Sequence, residues 1–222
     1  MSLCRVSSFL VAVFAPLVLA AAGPNALILG PTSEGAAQYH LSFDGHLWNG
    51  AHKVYEHQIS LRPASGAAEL QATVDEQESG KRFDLTVKRD PDGVLVSPDP
   101  HAQFSAYNAV ARVAAAAPAK LAAGTAWDAQ VPVDIGDALS VSVPVHAWVV
   151  NIDGGRTTIQ GTGSLETTVT YSGFTVPIDL SIRLASAFAD GTFVRADSAA
   201  KEVIHAGPQM QTLDWTWSLT RT

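Results

Sequence analysis

A single cysteine, Cys4, is the whole thiol content of this 222-residue chain. One cysteine forms no internal disulfide and builds no cysteine-ligated metal site. A fold of this length must therefore be held by burial alone, which about 200 residues can supply. Basic residues are also scarce: 14 Lys and Arg stand against 21 Asp and Glu, a formal net charge of −7. Nucleic-acid phosphates need a basic surface, so nucleic acid is not an expected partner. Long apolar runs are missing too, apart from one near the start. No P-loop, dinucleotide fingerprint or G-x-S-x-G elbow occurs, so no motif names a reaction and no cofactor is expected.

The one apolar run is Phe9–Leu19, preceded by Arg5 and followed by Ala20-Ala21-Ala22. A short positive region, about a dozen apolar residues and small residues at the end have the form of an export signal. The run is shorter than the roughly 20 residues that span a bilayer. Residues 1–22 are therefore read as a cleaved signal peptide and 23–222 as one exported β-rich domain, periplasmic or secreted. Cys4 would leave with the signal. No cysteine stands at the cleavage site, so lipid anchoring is not expected. Arg5 leaves too, giving a mature charge of 13 − 21 = −8.

Period-two alternation dominates the remainder. Leu213, Trp215, Trp217 and Leu219 share one parity, as do Phe174, Val176, Ile178, Leu180, Ile182 and Leu184. Val141, Val143, Val145, Ala147 and Val149 make a third stripe. Each predicts an antiparallel strand with one buried face. Asp44-Gly45, Asp92-Gly93, Asp153-Gly154-Gly155 and Asp190-Gly191 read as hairpin turns, because Asp and Gly tolerate positive φ. Ten or eleven strands follow, in two meanders of about 36–97 and 126–221.

Between them the pattern changes. Phe104, Tyr107, Val110, Ala111 and Ala114 recur at helical spacing on an alanine-rich background, which predicts a helix over Pro100–Ala117. Asp99 is the expected cap, Pro100 suits the first helical position and Pro118 ends the run. Lys120–Gly124 reads as a linker. The expected class is mainly β: a strongly curved, half-barrel-like antiparallel sheet of about ten strands with one central helix. A two-sheet sandwich with the helix as crossover is the alternative.

Among candidate site residues, His40, His46, His52 and His57 are the densest group of possible ligands, but no spacing matches a zinc signature. A turn at Asp44-Gly45 would also part His40 from His46, so a solvated strand face is the expected reading. Asp90, Asp92 and Asp99 crowd a proline-rich loop without the alternating ligands of a calcium loop, and read as turn residues. Gly161-Thr162-Gly163-Ser164 reads as a turn or bulge in a strand. Glu56, Glu69 and Glu166 are acids at exposed strand positions with no visible pairing. Trp48, Trp127, Trp148, Trp215 and Trp217 are the candidate ligand-binding residues, because an uncovered concave face would let their rings line an apolar pocket. Packing in the core is their other reading.

In its order of signal, meander, Ala/Pro linker, Gly124-Thr125-Ala126-Trp127 strand start and second meander, the chain resembles bacterial exported β-rich proteins. It is also similar to the lipoprotein-carrier-like half-barrels of the bacterial envelope. That resemblance implies a curved sheet covering a helix and an apolar cavity for acyl chains. The expected function is a non-enzymatic envelope or secreted protein that binds an apolar small molecule, or an envelope protein as partner. The carrier version expects a cavity lined by Val145, Ile178, Leu180 and Trp215. A packed interaction module and a hydrolase with a spatially assembled site are the alternatives.

Overall fold

The computed structural model describes residues 27–31, 36–46, 51–64, 68–97, 104–135, 140–171, 174–206 and 209–222. The signal segment, Trp48 and Asp99-Pro100 lie outside them. Eleven strands form one antiparallel sheet: β1 Ala37–His46, β2 His52–Pro63, β3 Glu69–Glu76, β4 Arg82–Arg89, β5 Leu95–Val96, β6 Ala126–Asp134, β7 Ser140–Asp153, β8 Arg156–Tyr171, β9 Phe174–Ala189, β10 Thr192–Ala206 and β11 Gln209–Arg221. Their order is β5-β4-β3-β2-β1-β11-β10-β9-β8-β7-β6. Each meander is a run of neighbouring hairpins, and β1 zips to β11 from Tyr39↔Arg221 to Gly45↔Trp215. One sheet, not two, is therefore the architecture.

The sheet is not closed, and helix α1 (Ser105–Ala115) explains how its edges are managed. The Asn108 side chain bonds the backbone of Leu95 on β5, while the indole of Trp127 on β6 donates to the Val113 carbonyl at 2.9 Å. β5 and β6 are the two ends of the strand order, yet one helix touches both. The sheet must curl until its edges face each other across α1. The helix bridges the two edges and also meets β11 in the middle of the sheet, the central placement expected for it. Its Ala-rich face still turns inward: Ala106, Tyr107, Ala109, Val110, Ala111 and Val113 are buried. Tyr107 reaches across to Tyr39 on β1, with ring centroids 5.6 Å apart and nearly perpendicular.

Burial follows the predicted stripes. Leu213 and Leu219 are buried, as are Val143, Val145 and Val149, and Ile178, Leu180, Ile182 and Leu184. All belong to one apolar cluster with the helix. Each such side chain contributes about 1.5–3 kcal/mol on leaving water, which offsets the absence of disulfides. No helix among the described residues is long and apolar enough to cross a membrane.

Three local expectations change. The helix begins at Ser105 with Phe104 at its N-cap and no side-chain cap. The expected cap, Asp99, lies outside the described residues. Asp44-Gly45 is not a turn, because β1 continues to His46, which pairs with His52. Glycine is needed at 45 for another reason: a Cβ there would stand 2.3 Å from the Trp215 Cβ and 2.9 Å from its Cα. Gly161 and Gly163 likewise sit inside the unbroken β8–β9 ladder. A Cβ on Gly163 would meet the Pro144 carbonyl oxygen at 2.3 Å, so close approach of β7 sets this residue. The other three predicted turns hold, with positive φ at Gly93, Gly154, Gly155, Asp190 and Gly191.

Candidate functional site

Strand alternation sorts the tryptophans onto two faces. Trp127 is buried on the inner face and its indole N–H is used by the helix, so it is a packing residue. Trp215 and Trp217 are also inward, opposite Ala200 and Ser198 on β10 and Gly45 and Phe43 on β1. Yet both are only half-buried, as is Phe43. Their neighbours in the same stripes, Leu213, Leu219, Leu41 and Tyr39, are 0–3 % exposed. The inner face thus has an aromatic window at β1 and β11. Behind it Phe43 stacks on Tyr55 at 4.6 Å and 8°, and Tyr55 stacks on His57 at 4.6 Å. The Lys53 ammonium sits 5.0 Å from the Tyr55 ring centre.

Trp148 has the opposite parity to Val145, Ala147 and Val149 and lies on the outer face of β7, half-buried. It stands at one end of a groove of about 520 Å³. Two outward rows of side chains border this groove. Gln160, Ala185, Asp197 and Ser218 are cross-strand partners in one row, and Thr162, Arg183, Ala199 and Thr216 in the other. The row between them, Gly161, Leu184, Ser198 and Trp217, forms the floor. The next inward residues, such as Ile182 and Ala200, do not line it, so the groove belongs to the outer face. Val145, Ile178 and Leu180, expected around a cavity, are instead packed in the core.

The histidines divide as well. His40, His46 and His52 share the outer face, with His40 and His46 on one strand, not parted by a turn. Each faces a carboxylate: Glu56 at 3.8 Å, Asp214 at 3.5 Å and Asp44 at 2.6 Å respectively. His40 also bonds Gln58 at 2.7 Å. His57 turns inward, since it pairs with Leu41, and burial holds its pKa below the usual histidine range. Glu76 and Glu78 partly oppose that shift, while Lys53 adds to it. Among the described residues no three His, Cys, Asp or Glu side chains gather as metal ligands would.

Asp90 and Asp92 serve the β4–β5 turn and the helix. Asp90 accepts from the Val94 amide at 2.9 Å and from Arg112 at 3.2 Å, and Asp92 also pairs with Arg112. Glu56, Glu69 and Glu166 fall on three different strands, β2, β3 and β8.

Two features escaped sequence reasoning. Glu202 is an acid at 1 % exposure on the inner face of β10, between Leu180 and Leu213. Its parity with Ala200 and Ile204 was the available signal. The outer groove was not legible at all, because it depends on which small side chains lie beside one another across five strands. No protein-family model matches the chain, and neither a curated protein nor a solved structure does.

Proposed function

We propose that the chain is a non-enzymatic exported protein, periplasmic or secreted, that binds an apolar or lipidic ligand at the aromatic window on its concave face. One observation carries this reading: inward-facing Phe43, Trp215 and Trp217 stay half-buried where the positions flanking them are sealed. Leaving large rings partly in water forgoes burial free energy, and an apolar ligand would recover it. Conformationally stiff aromatic walls suit such a ligand, since little side-chain entropy is lost when it binds. The packed core favours a second reading, an interaction module without a ligand of its own.

Native mass spectrometry of the protein purified from its own host separates the two. A co-purifying lipid mass, or uptake of added palmitate at micromolar concentration, is the expected result. Uptake should fall about tenfold or more in Trp217→Ser, which removes a ring from the window. A clean apo mass that takes up no palmitate would refute ligand binding and leave the interaction module.

A further inference from the structure

The outer groove lies on the opposite face of the sheet from the aromatic window, with Trp217 the residue common to both, and differs from it in chemistry. It crosses β8, β9, β10 and β11 and reaches Ser42 and Asp44 on β1. With strands about 4.8 Å apart, its run is about 20 Å. Ala185 and Ala199 keep its middle shallow-sided but open, while Gln160, Thr162, Thr216 and Ser218 line it with amide and hydroxyl groups. Trp148 supplies an aromatic wall at one end. A long, narrow trough of this kind fits one extended chain with many hydroxyls.

The charges in the groove are unequally committed. Asp197 is held by Arg195, whose Nε and Nη2 donate to its carboxylate at 2.7–3.1 Å. Asp44 is held by His52 at 2.6 Å. Arg183 lies between Thr162 and Ala199 in the ladder, and no carboxylate among the described residues is in ion-pair range of it. The uncommitted charge of the groove is therefore a guanidinium, in a chain whose net charge is −7. A guanidinium fork binds carboxylate in bidentate fashion. The hydroxyl and amide rows suit sugar hydroxyls, and the Trp148 indole suits the C–H face of a sugar ring.

We infer that the outer groove binds an acidic oligosaccharide, with a sugar carboxylate on Arg183 and a ring against Trp148. Titration calorimetry tests this with tetramers of galacturonic and mannuronic acid, and with neutral maltotetraose and cellotetraose as controls. At least one acidic tetramer is expected to bind, at least about tenfold more tightly than either neutral one. Its affinity should weaken as salt rises from low to physiological strength, since Arg183 is exposed. Arg183→Gln should lower it about tenfold, Arg183→Lys less, and Trp148→Ala about tenfold, with unchanged circular dichroism and unchanged palmitate uptake. The inference is overturned if neither acidic tetramer binds at millimolar concentration. Equal binding of the neutral tetramers, or full affinity in Arg183→Gln, overturns it as well.

Discussion

Asn108 acts as an extra strand for Leu95: its Nδ2 donates to the Leu95 carbonyl at 2.9 Å and its Oδ1 accepts from the Leu95 amide at 2.7 Å. β5 is two residues long and forms one edge of the sheet, where unpaired backbone groups invite association with another chain. One amide side chain on the helix satisfies both groups. Asn108→Ala removes two hydrogen bonds and leaves two half-buried partners, a loss of about 2–3 kcal/mol. Asn108→Asp keeps the acceptor but sets a carboxylate oxygen against the Leu95 carbonyl, so it should be no milder than Asn108→Ala. Urea midpoints give the ranking. If Asn108→Ala matched the parent protein, the helix would not be holding this edge.

At the other edge, Trp127 secures β6 to the helix through its indole N–H and its buried ring. Trp127→Phe keeps most of the apolar area but strands the Val113 carbonyl, for a loss of about 1–2 kcal/mol. Trp127→Ala adds a cavity and should cost about 3–5 kcal/mol. The difference between the two variants in denaturant unfolding isolates the packing of the ring. Equal losses would mean that the hydrogen bond alone matters.

Gly45 and Gly163 permit backbone approach and do not serve turns. At each, the atoms that a methyl group would meet include a neighbour's backbone, which cannot swing aside. Gly45→Ala and Gly163→Ala should each lower stability by about 1–3 kcal/mol through overpacking. Gly30→Ala is the control: its nearest neighbour is the Arg89 guanidinium, the end of a flexible side chain. Thermal unfolding should place Gly30→Ala nearest to the parent.

These glycines also show where reading the sequence reached its limit. The stripes Val176–Leu184 and Leu213–Leu219 gave strand and face correctly, because alternation is local and each strand has one wet side. Three of four Asp-Gly turns were legible for the same reason. Asp44-Gly45 was not, since the clash that demands glycine there comes from Trp215, far away in the chain. Tryptophan roles were legible only as far as parity: that Trp215 and Trp217 stay half-buried at β1 while Trp148 borders a groove requires the cross-strand neighbours of each. That α1 joins β5 to β6 needed both sheet edges to be known. The outer groove needed the full cross-strand order, from Gln160 through Ala185 and Asp197 to Ser218.

Two kinds of buried ring make stability depend on pH from opposite sides. Burial raises the phenol pKa of Tyr39 and Tyr55 far above the ordinary value of about 10, and that of Tyr107 up to about 12. Between about pH 10 and these raised values the folded chain keeps protons that the unfolded chain loses. Stability contributed by the neutral phenols is therefore complete below about pH 10 and falls as pH rises further. Near-ultraviolet phenolate absorbance should show these three tyrosines ionising together with loss of structure in water. In denaturant all four tyrosines of the chain should ionise near pH 10. His57 behaves inversely. Burial keeps it neutral in the folded state below its ordinary pKa of about 6.5, so the unfolded chain takes the proton first. Stability is complete above that pH and is lost as pH falls through it toward the depressed folded value. His57→Gln should flatten the decline of the urea midpoint between about pH 7 and 5, because glutamine takes no proton. An identical decline in parent and variant would place the acid sensitivity elsewhere, and three tyrosines ionising near pH 10 with full circular dichroism would show that the phenols reach water.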